Sequence, residues 1–177
     1  MRGPDDLSAK VWLGWHEDAD LYLAIDVTDD RLVTSHRDDD PAKSDSVELF
    51  VDVRPPWKQY MKSYTPATFK LVFVPGDGKV EATSRYRGTP YGFVRRLRSE
   101  KTAKGYRLEA DVHFFATEVD DPGRAAGRPV RIGVLVHDCD DPSGKPKSTL
   151  AFWNTADDAA EDCASLAAFL TEKRPGQ

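Results

Sequence analysis

The side chains with most chemical potential in this sequence are its aromatic rings and its aspartates. Trp12, Trp57, Tyr60, Tyr64, Tyr86, Tyr91 and Trp153 offer flat surfaces that can stack on the C–H faces of a sugar while neighbouring polar groups bind its hydroxyls. Most aromatics in a domain fill its core, and Trp15 reads that way because it shares a period-two face with Val11 and Leu13. Trp57, Tyr60 and Tyr64 fall in a proline-containing segment, where exposure suits a ring that contacts ligand. The acidic clusters Asp29-Asp30, Asp38-Asp39-Asp40, Asp120-Asp121, Asp138-Asp140-Asp141 and Asp157-Asp158 lie between predicted strands. There, hard oxygen ligands either gather around Ca²⁺ or simply meet water. An EF-hand starting at Asp138 is excluded, since Pro142 takes the third ligand position and Thr149 the place of the bidentate glutamate. Asp138 and Asp140 are the candidate ligands of a structural calcium ion.

Templates for catalysis fail in turn. There is no Gly-x-Ser-x-Gly, and His16-Glu17 lacks the second histidine of a zinc-protease helix because Asp20 stands in its place. Carboxylates are abundant enough that a pair at glycosidase separation carries no information by itself. The residues thus offer no template for an intrinsic enzyme. Cys139 and Cys163 match neither a CxxC motif nor a zinc cluster, and a bridge and two thiols both fit their spacing. His113 and His137 fall on the second faces of their strands and read as surface histidines.

These residues sit in a chain of 177 residues with 30 acidic and 25 basic side chains and a net charge of −5. A chain of this size buries roughly two thirds of its unfolded surface, enough for one self-sufficient core spanning 1–177. The scattered positive charge leaves no footprint for nucleic acid, and no apolar run approaches the roughly 20 residues of a membrane span. The polar opening Met-Arg-Gly-Pro-Asp-Asp has no signal-peptide character, and the chain reads as a piece of a larger protein.

The elements that must position the candidates are strands. Val11, Leu13 and Trp15 alternate with Trp12 and Gly14, and after a polar break Leu21, Leu23, Ile25 and Val27 alternate with Tyr22, Ala24, Asp26 and Thr28, which predicts a hairpin. Over 46–53, Val47, Leu49, Val51 and Val53 form an inward face, with Glu48 and Asp52 at least partly exposed on the other. Over 68–75, Phe69, Leu71 and Phe73 point inward and Lys70, Val72 and Val74 outward, before the turn Pro75-Gly-Asp-Gly78. Strand-like sequence resumes at Lys79, and 93–98 with 106–112 forms a second hairpin. Further strands fall at 132–136 and 149–153. The tail has helical spacing at Cys163, Leu166, Ala167 and Leu170, while 168–171 fits a closing strand equally well. Short antiparallel strands at regular intervals predict an all-β sandwich with jelly-roll-like topology.

The ordered phrases Leu21-Tyr-Leu-Ala-Ile-Asp-Val-Thr-Asp29, Asp45-Ser-Val-Glu-Leu-Phe-Val-Asp52, Gly105-Tyr-Arg-Leu-Glu-Ala110, Ile132-Gly133, His137-Asp-Cys-Asp140 and Phe152-Trp153 resemble family 9 carbohydrate-binding modules. The likeness runs from about 10 to 153, and its most specific part is Asp-Ser-Val-Glu followed by Phe-Val-Asp. It implies a calcium-containing β-sandwich that binds sugars, lies outside the cell or in its envelope, and is covalently attached to a polysaccharide-degrading enzyme. In the family pattern two tryptophans clamp a terminal sugar. Here Ala42 stands where the first belongs, three residues before Asp45, and the segment 156–164 that should carry the second has no aromatic. Glu48 matches the family glutamate and Lys70 a basic position where arginine is usual, whereas Val72 and Leu135 replace an asparagine and a glutamine.

The expected function is a non-catalytic carbohydrate-binding module, with Glu48 and Lys70 bonding hydroxyls beside an aromatic platform supplied by Trp57 and Tyr60. A structural sandwich packed on a neighbouring enzyme domain is the rival that the missing tryptophans suggest. The third reading is a haem-binding electron-transfer domain using His113 and Met61, since related sandwiches include haem carriers.

Overall fold

The computed structural model describes residues 6–16, 20–35, 41–54, 62, 68–76, 83–87, 92–114, 129–143, 148–153, 155 and 166–170. In chain order the strands are β1 (Leu7–His16), β2 (Asp20–Asp29), β3 (Ser46–Asp52), β4 (Thr68–Val74), β5 (Thr83–Arg87), β6 (Gly92–Thr102), β7 (Gly105–Phe114), β8 (Pro129–Asp138), β9 (Ser148–Phe152) and β10 (Ala167–Leu170). They pair antiparallel into a four-stranded sheet, β1-β2-β7-β6, and a six-stranded sheet, β10-β8-β3-β4-β5 with β9 also on β8. Helical structure among the described residues is one 3-10 turn, Pro41–Lys43. The expected β-sandwich is thus present, with strands at their predicted places and commonly a few residues longer.

Strict alternation builds the core. Leu21, Leu23, Ile25 and Val27 of β2 and Leu108, Ala110 and Val112 of β7 meet Val47, Leu49 and Val51 of β3, Phe69, Leu71 and Phe73 of β4, and Val134 and Val136 of β8. Val11, Leu13 and Trp15 pack against this core from β1, as their shared face predicts. The two-residue turn between β6 and β7 ends at Gly105 with φ 132°, a conformation that L side chains rarely adopt, and a Cβ there would run into the backbone of Val27 and Asp29. The tail is a strand: Ala167–Leu170 pairs with residues 129–132 of β8, and Phe169 meets the edge of Trp153 at 5.2 Å between ring centroids. Pairing gives the backbone of this short segment hydrogen-bond partners that so short a helix would leave largely unmade. The outer edge of β8 is shared, β10 taking 129–132 and β9 taking Val134–Asp138.

One expectation fails. The outer face of β3 and β4 is not solvated: Glu48 is 4% exposed, Phe50 and Asp52 0%, Lys70 8% and Val72 6%, while Val53, expected in the core, is half-buried. The alternation is in the predicted register, but both faces of these strands are covered, as is usual for the central strands of a sheet packed on two sides. Part of the cover comes from Thr155 and Leu166. A Cβ on Gly133 would lie 2.7 Å from the Cδ2 of Leu166 and from the Oγ1 of Thr155, so only glycine leaves room there. Thr155 Oγ1 also accepts a hydrogen bond from Val134 N at 3.2 Å, tying this cover to the gap between β9 and β10.

Leu49 is 0% exposed, so Leu49→Ala should cost about 2–5 kcal/mol, read as a lower denaturant midpoint with an unchanged m-value. An unchanged midpoint would mean that the core described here is wrong at its centre.

Candidate functional site

The polar outer face of the six-stranded sheet centres on Glu48. Its direct cross-strand neighbours are Val72 on β4 and Leu135 on β8, the two apolar replacements noted in the sequence. Its partners therefore come from the diagonals. Lys70, opposite Phe50, forms an ion pair with Glu48 Oε1, and its Nζ sits 5.4 Å from the Phe50 ring centroid. His137, opposite Ser46, brings Nε2 to 3.7 Å from Glu48 Oε2, too far for a hydrogen bond, while its Nδ1 pairs with Thr149 Oγ1 at 3.0 Å. Nε2 of His137 is buried with no hydrogen-bond partner. Burial opposes ionisation of Glu48, but His137 and Lys70 more than offset it and hold the carboxyl below its ordinary value.

Two steps along the same face of β3, beyond Phe50, Asp52 is gripped by Arg54. Arg54 Nε donates to Asp52 Oδ1 at 2.9 Å and Nη2 to Oδ2 at 2.8 Å, both side chains fully buried. This fork fixes the chain as it leaves β3 for the segment carrying Trp57 and Tyr60. Both rings lie outside the described residues, as do Tyr64, Tyr91, Met61, Cys163 and the segment 156–164. Tyr86 falls on β5. Trp153, with φ 54°, packs edge-on against Phe169 and at 6.0 Å on Phe152, so its ring is part of the packing at this end of the sheet.

A second constellation forms at the sheet ends. The sandwich brings Asp138 and Asp140 together with Asp6, and Asp140 with Asp29 and Asp30, each set offering carboxylate oxygens within 4.8 Å of one another. Asp29 is 6% exposed; its Oδ1 accepts from Arg31 N at 2.8 Å and its Oδ2 has no hydrogen-bond partner. Burial, then the neighbouring Asp138, Asp140 and Asp30, push its pKa up despite the bond from Arg31. Beside them Asp45 accepts hydrogen bonds from Val33 N and, at 2.6 Å, from Cys139 N, and its own N–H donates to Val33 O at 2.8 Å. Burial pushes Asp45 to about 8, and Asp29 and Asp138 add to it. Tyr106 Oη, buried and without a partner, is raised by burial and by these same three carboxylates. Cys139 is a buried thiol whose Sγ faces the carbonyls of Lys43 at 3.1 Å and Asp141 at 3.3 Å. The clusters at 38–40, 120–121 and 157–158 lie outside the described residues.

Sequence reasoning missed three participants. Asp6 belonged to an opening read only as polar, although β1 starts at Leu7 and carries Asp6 toward the aspartates of other strands. His137 and His113, read as surface residues, are drawn into carboxylate pairs, His113 Nδ1 meeting Asp20, which Arg95 also bonds at 2.7 Å. The signal was available in the alternation, since His137 shares a face with the Glu48 row. His113 is thus engaged by Asp20, and its proposed haem partner Met61 is not among the described residues.

The two antiparallel sheets define a β-sandwich, with the buried Glu48 row on one face and the acidic cluster at its end. The model described as carbohydrate family 9 binding domain-like matches residues 1–166, and the chain belongs to that family of non-catalytic carbohydrate-binding modules. No curated relative matches it. A family 9 module from Caldicellulosiruptor kristjanssonii in complex with glucose superposes with a TM-score of 0.75 at 18% identity, covering 97% of this chain and 80% of its own. One in complex with cellotriose gives 0.74 at 18% identity, with 96% and 77% covered. At such identity the likeness carries the fold.

The Glu48 pair makes two predictions. Lys70→Met leaves a buried carboxylate without its cation and should cost about 3–5 kcal/mol, while the double variant with Glu48→Gln should be more stable than Lys70→Met alone, measured by denaturant unfolding. A lowered folded-state pKa for Glu48 means that its ionised form stabilises the fold above the usual carboxylate range and that this contribution is lost as pH falls through the lowered value. Melting curves from pH 7 to pH 3 should therefore show an acid limb that Glu48→Gln reduces.

Proposed function

We propose that the Glu48, Lys70 and His137 face is the carbohydrate site of this module. The observation that carries this reading is His137 Nε2, which makes no hydrogen bond and lies 3.7 Å from Glu48 beside the ion pair with Lys70: a nitrogen with its hydrogen bond unmade is what a sugar hydroxyl can satisfy. Glu48 accepts and Lys70 donates, so together with His137 they match the dual character of a hydroxyl group. Trp57 and Tyr60 are our choice for the stacking surface, because they lie in the segment that joins β3 to β4, the strands carrying Glu48 and Lys70. Ala42, in the turn Pro41–Lys43, offers no ring. The structures solved with glucose and cellotriose favour neutral glucose-based ligands as the first to try. We place the module outside the cell or in its envelope, attached to a carbohydrate-active enzyme as the sequence resemblance implies.

Calcium completes the reading. Asp29 with an unbonded buried oxygen, the raised Asp45 and the convergence of Asp6, Asp30, Asp138 and Asp140 fit a hard cation with oxygen ligands. The ion would neutralise the like charges and hold the ends of β2 and β8 and the start of β1 together. It supplies structure and no chemistry on the sugar.

Calorimetric titration of the intact chain with glucose and cellotriose should give binding that Glu48→Gln and Trp57→Ala each reduce at least tenfold. Absence of binding in the presence of Ca²⁺ rejects the carbohydrate reading. For Trp57→Ala, lost affinity with an unchanged melting temperature assigns the ring to the ligand, whereas an early transition makes it part of the core. Chelation by EDTA should lower the melting temperature, Ca²⁺ should restore it, and Asp140→Asn should remove most of this response.

A further inference from the structure

The outer face of the four-stranded sheet is built differently from the sealed Glu48 face. Toward one end its charges are consumed by the fork in which Arg107 Nε and Nη2 bond Asp26 at 2.5 and 3.0 Å. Toward the other, Asp20 is taken by Arg95 and His113. Between these frames stand Trp12 and Tyr22, 51% and 46% exposed, the large hydrophobic side chains left in solvent among the described residues. Trp12 is opposite Ala24 and Tyr22 opposite Gly14, so each ring rises beside a small neighbour and the two are diagonal, about 7–8 Å apart at their backbones. The groove they border measures about 390 Å³, inside the range of about 300–1,000 Å³ usual for small-ligand sites.

Its polar side is unspent. Asp111 Oδ1 is buried with no hydrogen-bond partner, and Asp111 forms no ion pair with Arg96, its cross-strand neighbour, among the described residues. Glu109 lines the same groove. A carboxylate and a guanidinium side by side that do not bond each other are the acceptor and donor that a pair of neighbouring hydroxyls requires. Two carboxylates against one arginine disfavour a polyanion, and a protein partner needs roughly 800 Å² of continuous contact, which two rings framed by closed charge pairs do not supply. A neutral polyol with apolar faces fits both halves of the groove.

We propose that the Trp12–Tyr22 groove is a second carbohydrate site that takes the side of an oligosaccharide chain, using both rings as stacking surfaces and Asp111 and Arg96 for hydroxyls. It shares with the preceding reading only the premise that the module binds carbohydrate, and it uses none of the same residues. Two rings serve consecutive sugar units, so this site distinguishes a chain from a monosaccharide. The intact chain is titrated with cellohexaose and with glucose, for the wild type, Trp12→Ala, Tyr22→Ala, Asp111→Asn and Glu48→Gln. The expected result is at least a tenfold loss of cellohexaose affinity in each groove variant, with glucose affinity and melting temperature unchanged, while Glu48→Gln removes glucose binding. Cellohexaose affinity that is indifferent to the groove variants but lost in Glu48→Gln overturns the second site and leaves the first standing. Loss in the groove variants with Glu48→Gln indifferent to both sugars supports the second site and removes the first. Absence of wild-type binding overturns both, and sedimentation showing a dimer that Trp12→Ala dissociates identifies the face as a protein contact and overturns the groove site.

Discussion

Every residue of β3 from Ser46 to Asp52 is buried, so the strand has no face on which a polar side chain can be hydrated. That constraint organises the six-stranded sheet. Glu48 must pair with Lys70, Asp52 with Arg54, and Lys70 must also lie over Phe50, because an unpaired charge in such a place would cost several kcal/mol. The same sealing strengthens the pairs themselves: donors and acceptors held by neighbours in a place shielded from water act with more strength and direction than they would on an open sheet. Val72 and Leu135, flanking Glu48, push its contacts onto the diagonals and bring in His137.

The acidic end obeys a related constraint. Asp45 opens β3 and bonds the backbones of Val33 and Cys139, so one carboxylate ties the exit of β2 to the exit of β8. Because these exits carry Asp29, Asp138 and Asp140, the tie that orders the loops also concentrates negative charge. Tyr106, buried beneath, feels the same field through its raised hydroxyl. The cation proposed for this end would relieve that repulsion without altering the hydrogen bonds of Asp45, which are made to backbone N–H groups.

The strands were legible because period-two alternation is a local property: Leu21 to Val27 and Val47 to Val51 declare their inner face without knowledge of any partner. The outer face was not, since Glu48, Asp52 and Lys70 are residues that water would equally accept, and their burial depends on cover arriving from distant chain. Asp138 and Asp140 could be suspected from their own loop, but Asp6 and Asp29 join them only through the pairing of β1 with β2 and the stacking of the sheets. His137 shows the same limit, since its strand face was readable and the company on that face was not. Trp12 was among the rings that could stack on a sugar, but its exposure was not legible, and the small residues beside Tyr22 and itself acquire meaning only from the β1–β2 register.

Both sheets are closed at their centres by strands far apart in sequence: β2 sets Leu21 against Val112 and β3 sets Leu49 against Val134, each pairing bridging about half the chain. The tight hairpins β1–β2 and β6–β7 can form within roughly 1–10 μs, but neither buries the core until those distant pairings close and their loop entropy has been overcome. A topology dominated by such contacts folds on a scale of roughly milliseconds to seconds. During that interval the apolar faces of β3, β4 and β8 are unpaired, so the nascent chain of this module is exposed to aggregation until the distant pairings close.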